Sequence, residues 1–213
     1  MKQKTIRYWI FTWLALALCG PMASRGSADM IKFDVSKGLG DFEFARTGGG
    51  KPGEWSIVRS DAAQALAQTS TDATDNRFPL AIYKAYSGRD VDVTIRFKPV
   101  SGRVDRVGGI VVRLTSANDY YVVRANALED NVRFYRVVGG SREMIEGANT
   151  KVSSAAWHTL GILARGRRFT IAFDGRELFT ANDSTFTDAG KAGVWTKSDS
   201  ITWFESIDIK PLD

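Results

Sequence analysis

The residues able to do chemistry in this sequence are few, and one stretch gathers several of them. Arg124 and Asn126 are two apart, so a strand places both on one face; Glu129, Asp130 and Asn131 follow across what reads as a hairpin turn. A guanidinium donates hydrogen bonds, a carboxylate accepts them and an amide does both. That mixture suits a ligand rich in hydroxyl groups. Arg113, Tyr121 and Trp195 join the same set if their strands share that face, with Trp195 stacking on a ring.

Other chemistries lack their residues. His158 is the only histidine and Cys19 the only cysteine. A Ser-His-Asp triad would have to use His158, which reads better as a structural strand residue. A zinc site usually takes two or more His or Cys ligands, and no such set exists. A retaining glycosidase needs two carboxylates flanking the scissile bond. Asp90 and Asp92 read as the solvent-facing complement of an apolar strand face, and Glu205 and Asp208 point to opposite faces of theirs. The chain offers oxygen ligands and almost no nitrogen or sulfur ones, so calcium is the metal it suits. The loop Asp72-Ala73-Thr74-Asp75-Asn76 is oxygen-rich but does not follow the EF-hand pattern. Gly48-Gly49-Gly50-Lys51 lacks the spacing and the following helix of a phosphate loop.

The elements that must position these residues are strands. Val91, Val93, Ile95 and Phe97 alternate with polar residues, as do Phe169, Ile171 and Phe173. Ile201, Trp203, Ile207 and Ile209 read as one face of a further strand, together with Glu205. Runs rich in β-branched and aromatic residues lie at 55–59, 110–114, 120–124, 132–138 and 192–196. Asp174-Gly175 and Gly139-Gly140 are hairpin signals, and Ser101-Gly102, Asn118-Asp119 and Ser198-Asp199 are further turns. The spacing predicts roughly ten to thirteen short antiparallel strands, an all-β sandwich. One helical turn at 61–66 is the most helix the pattern allows.

The N-terminus reads as a secretory leader. Lys2, Lys4 and Arg7 precede an apolar run at 8–19, and small residues lead to Gly26-Ser27-Ala28, so cleavage after Ala28 is expected. The run is shorter than the roughly 20 apolar residues of a membrane span. Residues 1–28 hold four of the 29 Lys and Arg and none of the 24 acids, so the remaining 185 residues carry 25 against 24. The chain's net +5 is therefore mostly the leader's. With no clustered basic surface beyond the turn Arg165-Gly166-Arg167-Arg168, nothing points to nucleic acid. Secretion or residence in the periplasm, one domain at 29–213 and no span after cleavage are the expectations.

The second half resembles the concanavalin A-like lectin/glucanase and laminin-G jelly rolls. The resemblance rests on Trp157-His158-Thr159-Leu160, on 169–178 with its Asp174-Gly175, and on Gly190-Lys191-Ala192-Gly193-Val194-Trp195. It extends over roughly 31–211 and is nearest to secreted bacterial proteins grouped with the 3-keto-disaccharide hydrolase domain family. It implies a two-sheet jelly roll whose concave sheet binds carbohydrate through Arg113, Tyr121, Arg124, Asn126, Asn131 and Trp195. It implies an alternative in which Glu129 acts as base on a keto-sugar with Arg124 or Arg113 beside it. A non-catalytic protein-binding or structural module is a third reading. The resemblance also implies a structural calcium where the first and last strands meet, approximated by Asp34 and Asp208. The Glu-x-Asp-x-Glu strand of the glucanases is absent. A deep groove containing Glu129 and two or more convergent cationic or amide groups would favour the enzyme, a shallow groove with an exposed Trp the lectin, and a concave face filled by apolar residues the third reading.

Overall fold

The computed structural model describes residues 29–34, 37–60 and 63–212; the expected leader, with Cys19, lies outside them. Fifteen strands are present among the described residues: β1 (Ile31–Lys32), β2 (Phe42–Gly48), β3 (Trp55–Ser60), β4 (Ala63–Gln68), β5 (Arg77–Tyr83), β6 (Val91–Ser101), β7 (Val107–Ser116), β8 (Asp119–Asn126), β9 (Asn131–Val138), β10 (Ser141–Asn149), β11 (His158–Arg165), β12 (Arg168–Phe173), β13 (Arg176–Asn182), β14 (Lys191–Trp195) and β15 (Ile201–Pro211). Sheet A runs β13-β12-β11-β6-β15-β4-β3 with β1 against β15, and sheet B runs β10-β9-β8-β7-β14-β5-β2. Every pairing is antiparallel. This is the all-β sandwich the alternation predicts and the two-sheet jelly roll the resemblance implies.

The core lies between the sheets. Val91, Val93, Ile95 and Phe97 of β6, with Phe169, Ile171 and Phe173 of β12, pack against Ile110 and Val112 of β7, Val123 of β8 and Phe134 of β9. Each such side chain contributes roughly 1.5–3 kcal/mol relative to exposure. The strand count exceeds the expected range because β2, β4 and β5 do not alternate cleanly. The expected helical turn is also corrected: from Ala63 on, the segment is strand β4. Its alanines and glutamines favour helix locally, but pairing to β3 and β15 on either side prevails. In β15 the register shifts between Phe204 and Ser206. A bulge reverses the alternation, so Phe204, Ile207 and Ile209 enter the core while Trp203 faces outward beside Lys98, 5.4 Å away.

Sheet B is buried on both faces at its centre, and its outer face carries a second apolar cluster: Phe78, Leu80, Ile82, Val111, Tyr120, Val122, Val137 and Trp195. Five strand spacings separate β10 from β5, about 24 Å in a flat sheet. Yet the Arg142 guanidinium of β10 lies 5.0 Å from the Phe78 ring of β5 and 4.5 Å from that of Tyr135. The sheet therefore curls, and this outer face is concave. Gly193 makes the close β14–β5 approach feasible: a Cβ there would lie 2.3 Å from the Ala81 carbonyl.

Candidate functional site

The β8–β9 hairpin closes one end of the concave face. Arg124, on the concave side of β8, donates from Nη1 to Asn131 Oδ1, from Nη2 to Glu129 Oε2 at 2.8 Å, and to the Tyr135 hydroxyl at 3.3 Å. Asn131 also donates to Glu129 Oε2 at 3.1 Å. Asn126 turns its amide oxygen to the backbone N–H of Leu128, which shapes the turn, and donates to Asp105 at 2.7 Å. Asp105 in turn pairs with Lys197 at 2.8 Å. Four of the expected residues thus converge: Arg124, Asn126, Glu129 and Asn131. Arg124, Asn126 and Asn131 are buried, whereas the Glu129 side chain is 50% exposed at the mouth. Burial pushes the Glu129 carboxyl up, but the Arg124 charge and hydrogen bonds from Asn131 and Arg124 outweigh it and hold it below the usual value. Glu129 is thus a carboxylate whose charged form is stabilised by its neighbours, which makes it a good hydrogen-bond acceptor and lowers its basicity.

Trp195 belongs to the concave face but is fully buried, which corrects its expected stacking role. Phe78 stacks on it at 5.4 Å, Arg142 lies 5.8 Å from its ring, and its indole N–H donates to the Tyr120 hydroxyl at 3.3 Å. The concave face is therefore plugged along its apolar half and polar at the hairpin end.

Arg113 and Tyr121 are corrected too, for they lie elsewhere. Arg113 is 1% exposed and donates to the carbonyls of Arg89, Phe186 and Gly166. A register shift in β7 after Val112 takes it off the concave side. Tyr121 packs between the sheets, its ring 4.7 Å from Phe169, and its hydroxyl donates to Asp183 at 2.6 Å. Burial, with that bond to Asp183, pushes its pKa up to about 12. A raised folded value means stability is whole below the ordinary tyrosine range of about 10 and is lost as pH climbs through about 12. Tyr121→Phe is expected to remove that part of the alkaline loss. Urea midpoints compared between the two proteins from about pH 9 to 11.5 test it; identical profiles would refute it.

The calcium expectation does not fit the residues present. The first and last strands do pair, but Lys32, not Asp34, stands opposite Asp208. Among the described residues no group of three or more His, Cys, Asp and Glu is placed to hold a metal. Asp72 spends its oxygens on Lys51 and Thr74, and Asp75 pairs with Lys197. His158 is structural, bonded to Asp174 at 2.8 Å and the Ser153 carbonyl at 3.0 Å. Tyr135, Arg142, Lys197 and Asp105 escaped the sequence reading. Tyr135 was open to discovery, since it is four residues beyond Asn131 on the same strand face. The other three reach the site through tertiary pairing alone.

Two antiparallel sheets packed face to face, with the outer face of one curled, form a jelly-roll sandwich. Solved structures agree on the fold. A carbohydrate binding module, CBM66 from Bacillus subtilis, aligns over 78% of this chain and 94% of its own at 21% identity and TM-score 0.61. The Bacillus licheniformis β-glucanase aligns over 87% and 99% at 10% identity and TM-score 0.60. A GH16 protein from the Bacteroides ovatus mixed linkage glucan locus aligns over 84% and 99% at 11% and 0.60. No family model and no curated protein sequence matches the chain.

Proposed function

We propose that the protein binds carbohydrate at the polar mouth of its concave sheet, without cleaving it. The observation that carries this reading is the convergence of Arg124, Asn131 and Tyr135 on the half-exposed Glu129 carboxylate. Such a group offers both donors and acceptors to adjacent hydroxyls. The jelly-roll likeness to a carbohydrate binding module and to glucanases supports it. With Trp195 buried, the exposed aromatic expected of a lectin is missing, so the reading rests on the polar contacts at the hairpin, and the apolar plug argues for a short or terminal sugar rather than a long chain threaded along the sheet. The keto-sugar hydrolase alternative finds less support, because Glu129 is half exposed at the hairpin rather than set in a deep groove, and the Arg124 charge lowers its basicity.

A glycan screen followed by titration calorimetry tests the proposal. Glu129→Gln keeps the shape and removes the charge, and a hydrogen bond to a charged group is worth about 1.5–3 kcal/mol. Binding is therefore expected to weaken about tenfold or more, with the urea midpoint little changed because the carboxylate is half exposed. A protein that binds no glycan would sink the proposal. The residue 1–28 pattern supports export; finding the unprocessed chain in the cytosol would overturn it.

A further inference from the structure

A separate pocket of about 240 Å³ is lined by Arg89, Arg113, Gly166, Arg167, Ser184 and Thr187. It lies apart from the polar mouth. Val107 pairs with Asn126 at the mouth end of β7, and Arg113 is six residues further on, about 20 Å along a strand. Arg113 organises the pocket. Its three carbonyl partners belong to the β5–β6 loop, the β13–β14 loop and the β11–β12 turn. Those same segments supply Arg89, then Ser184 and Thr187, then Arg167. One buried guanidinium thus fixes every other wall. The basic turn at 165–168 is not merely a solvated hairpin, since Gly166 is bonded both to Arg113 and, through its N–H, to Asp90 at 2.9 Å.

The charge balance favours an anion. Three arginines line the pocket and no carboxylate does. Asp90, 3.3 Å from Arg89 and 3.4 Å from Arg113, offsets one positive charge. Guanidinium forks such as those of Arg89 and Arg167 match the paired oxygens of carboxylate, sulfate and phosphate groups, while Arg113, whose N–H groups hold the loop carbonyls, contributes charge. The hydroxyl side chains Ser184 and Thr187 add neutral donors. At about 240 Å³ the space is below the ~300–1,000 Å³ of drug-sized ligand sites. We propose that this pocket receives one oxyanionic group, a carboxylate or sulfate, carried on a small ligand or free in solution.

The test is calorimetric titration of the full chain, at low salt, with sodium glucuronate, sodium sulfate and glucose. Glucuronate or sulfate is expected to bind, and the binding to weaken at high salt. The double substitution Arg89→Gln with Arg167→Gln changes two exposed side chains, so the fold is expected to survive. It should weaken anion binding at least tenfold. Glucose, which carries no charge, should give no arginine-dependent heat. Glucuronate alone binding would place the anionic group on a sugar; sulfate binding as well would make the site a general oxyanion receptor. Neither anion binding, or binding equal in the double variant, overturns the proposal.

Discussion

Arg113→Met is expected to destabilise the protein by about 3–5 kcal/mol, the cost typical of removing one partner from a buried ionic group. The side chain is 1% exposed, and methionine would fill most of the space of its stem. What it cannot do is donate. The carbonyls of Arg89, Phe186 and Gly166 lose their side-chain donor together, and an acceptor left unsatisfied away from water costs about 1–3 kcal/mol, less where, as at the exposed Arg89 and Gly166, water can replace the donor. The contact with Phe169, 5.1 Å from the guanidinium carbon, loses its cationic part as well. Arg113 also sits at φ 50, a backbone conformation that costs a non-glycine residue on the order of 1–3 kcal/mol, so the native bonds already offset a local strain. Urea unfolding measures the loss. Arg77 provides an internal comparison, since its fully buried guanidinium likewise holds the carbonyls of Lys51, Pro52 and Ser198. A methionine variant within about 1 kcal/mol of the parent would show that the loops hold themselves.

Arg113 also shows where a sequence stops being legible. Strands announce themselves by alternation because a half-buried sheet forces it, and β6 and β12 were readable for that reason. The hairpins at Asp174-Gly175 and Gly139-Gly140 were readable because few residues accept a positive φ, and all four positions have one. A bulge leaves no such mark. The extra residue at Glu205 reversed the facing of Trp203 relative to Ile207, and the shift after Val112 moved Arg113 off the concave face. β5 hid for the opposite reason: it is buried on both faces, so it has no polar half to alternate with. The polar mouth was legible because its members are local, from Arg124 to Asn131 across one turn. The burial of Trp195 was not, because it depends on an arginine from β10 lying across a curled sheet.

Arg124→Met is expected to weaken glycan binding about a hundredfold or more, well beyond the effect of Glu129→Gln. The reason is that Arg124 donates to Asn131, Glu129 and Tyr135, while the Glu129 carboxylate accepts from Arg124 and Asn131. Losing hydrogen bonds made by a charged group costs about 1.5–3 kcal/mol for each bond the ligand feels, directly or through a misplaced partner. The stability cost should be smaller, about 1–3 kcal/mol, since only Asn131 is left with a buried acceptor lacking its donor and Glu129 can turn to water. Lysine at 124 keeps the charge but not the planar fork, so it should fall between the parent and methionine. The pH profile separates positioning from simple damage. Arg124 helps hold the Glu129 carboxyl below its ordinary value of 4.5. Binding that needs the carboxylate therefore survives in the parent as pH falls below that value and is lost only through the lower folded one. In the methionine variant the residual binding should fail at higher pH, with the lysine variant nearer the parent. Variants that all lose binding at the same pH would separate Arg124 from the carboxylate and place the ligand elsewhere on the sheet.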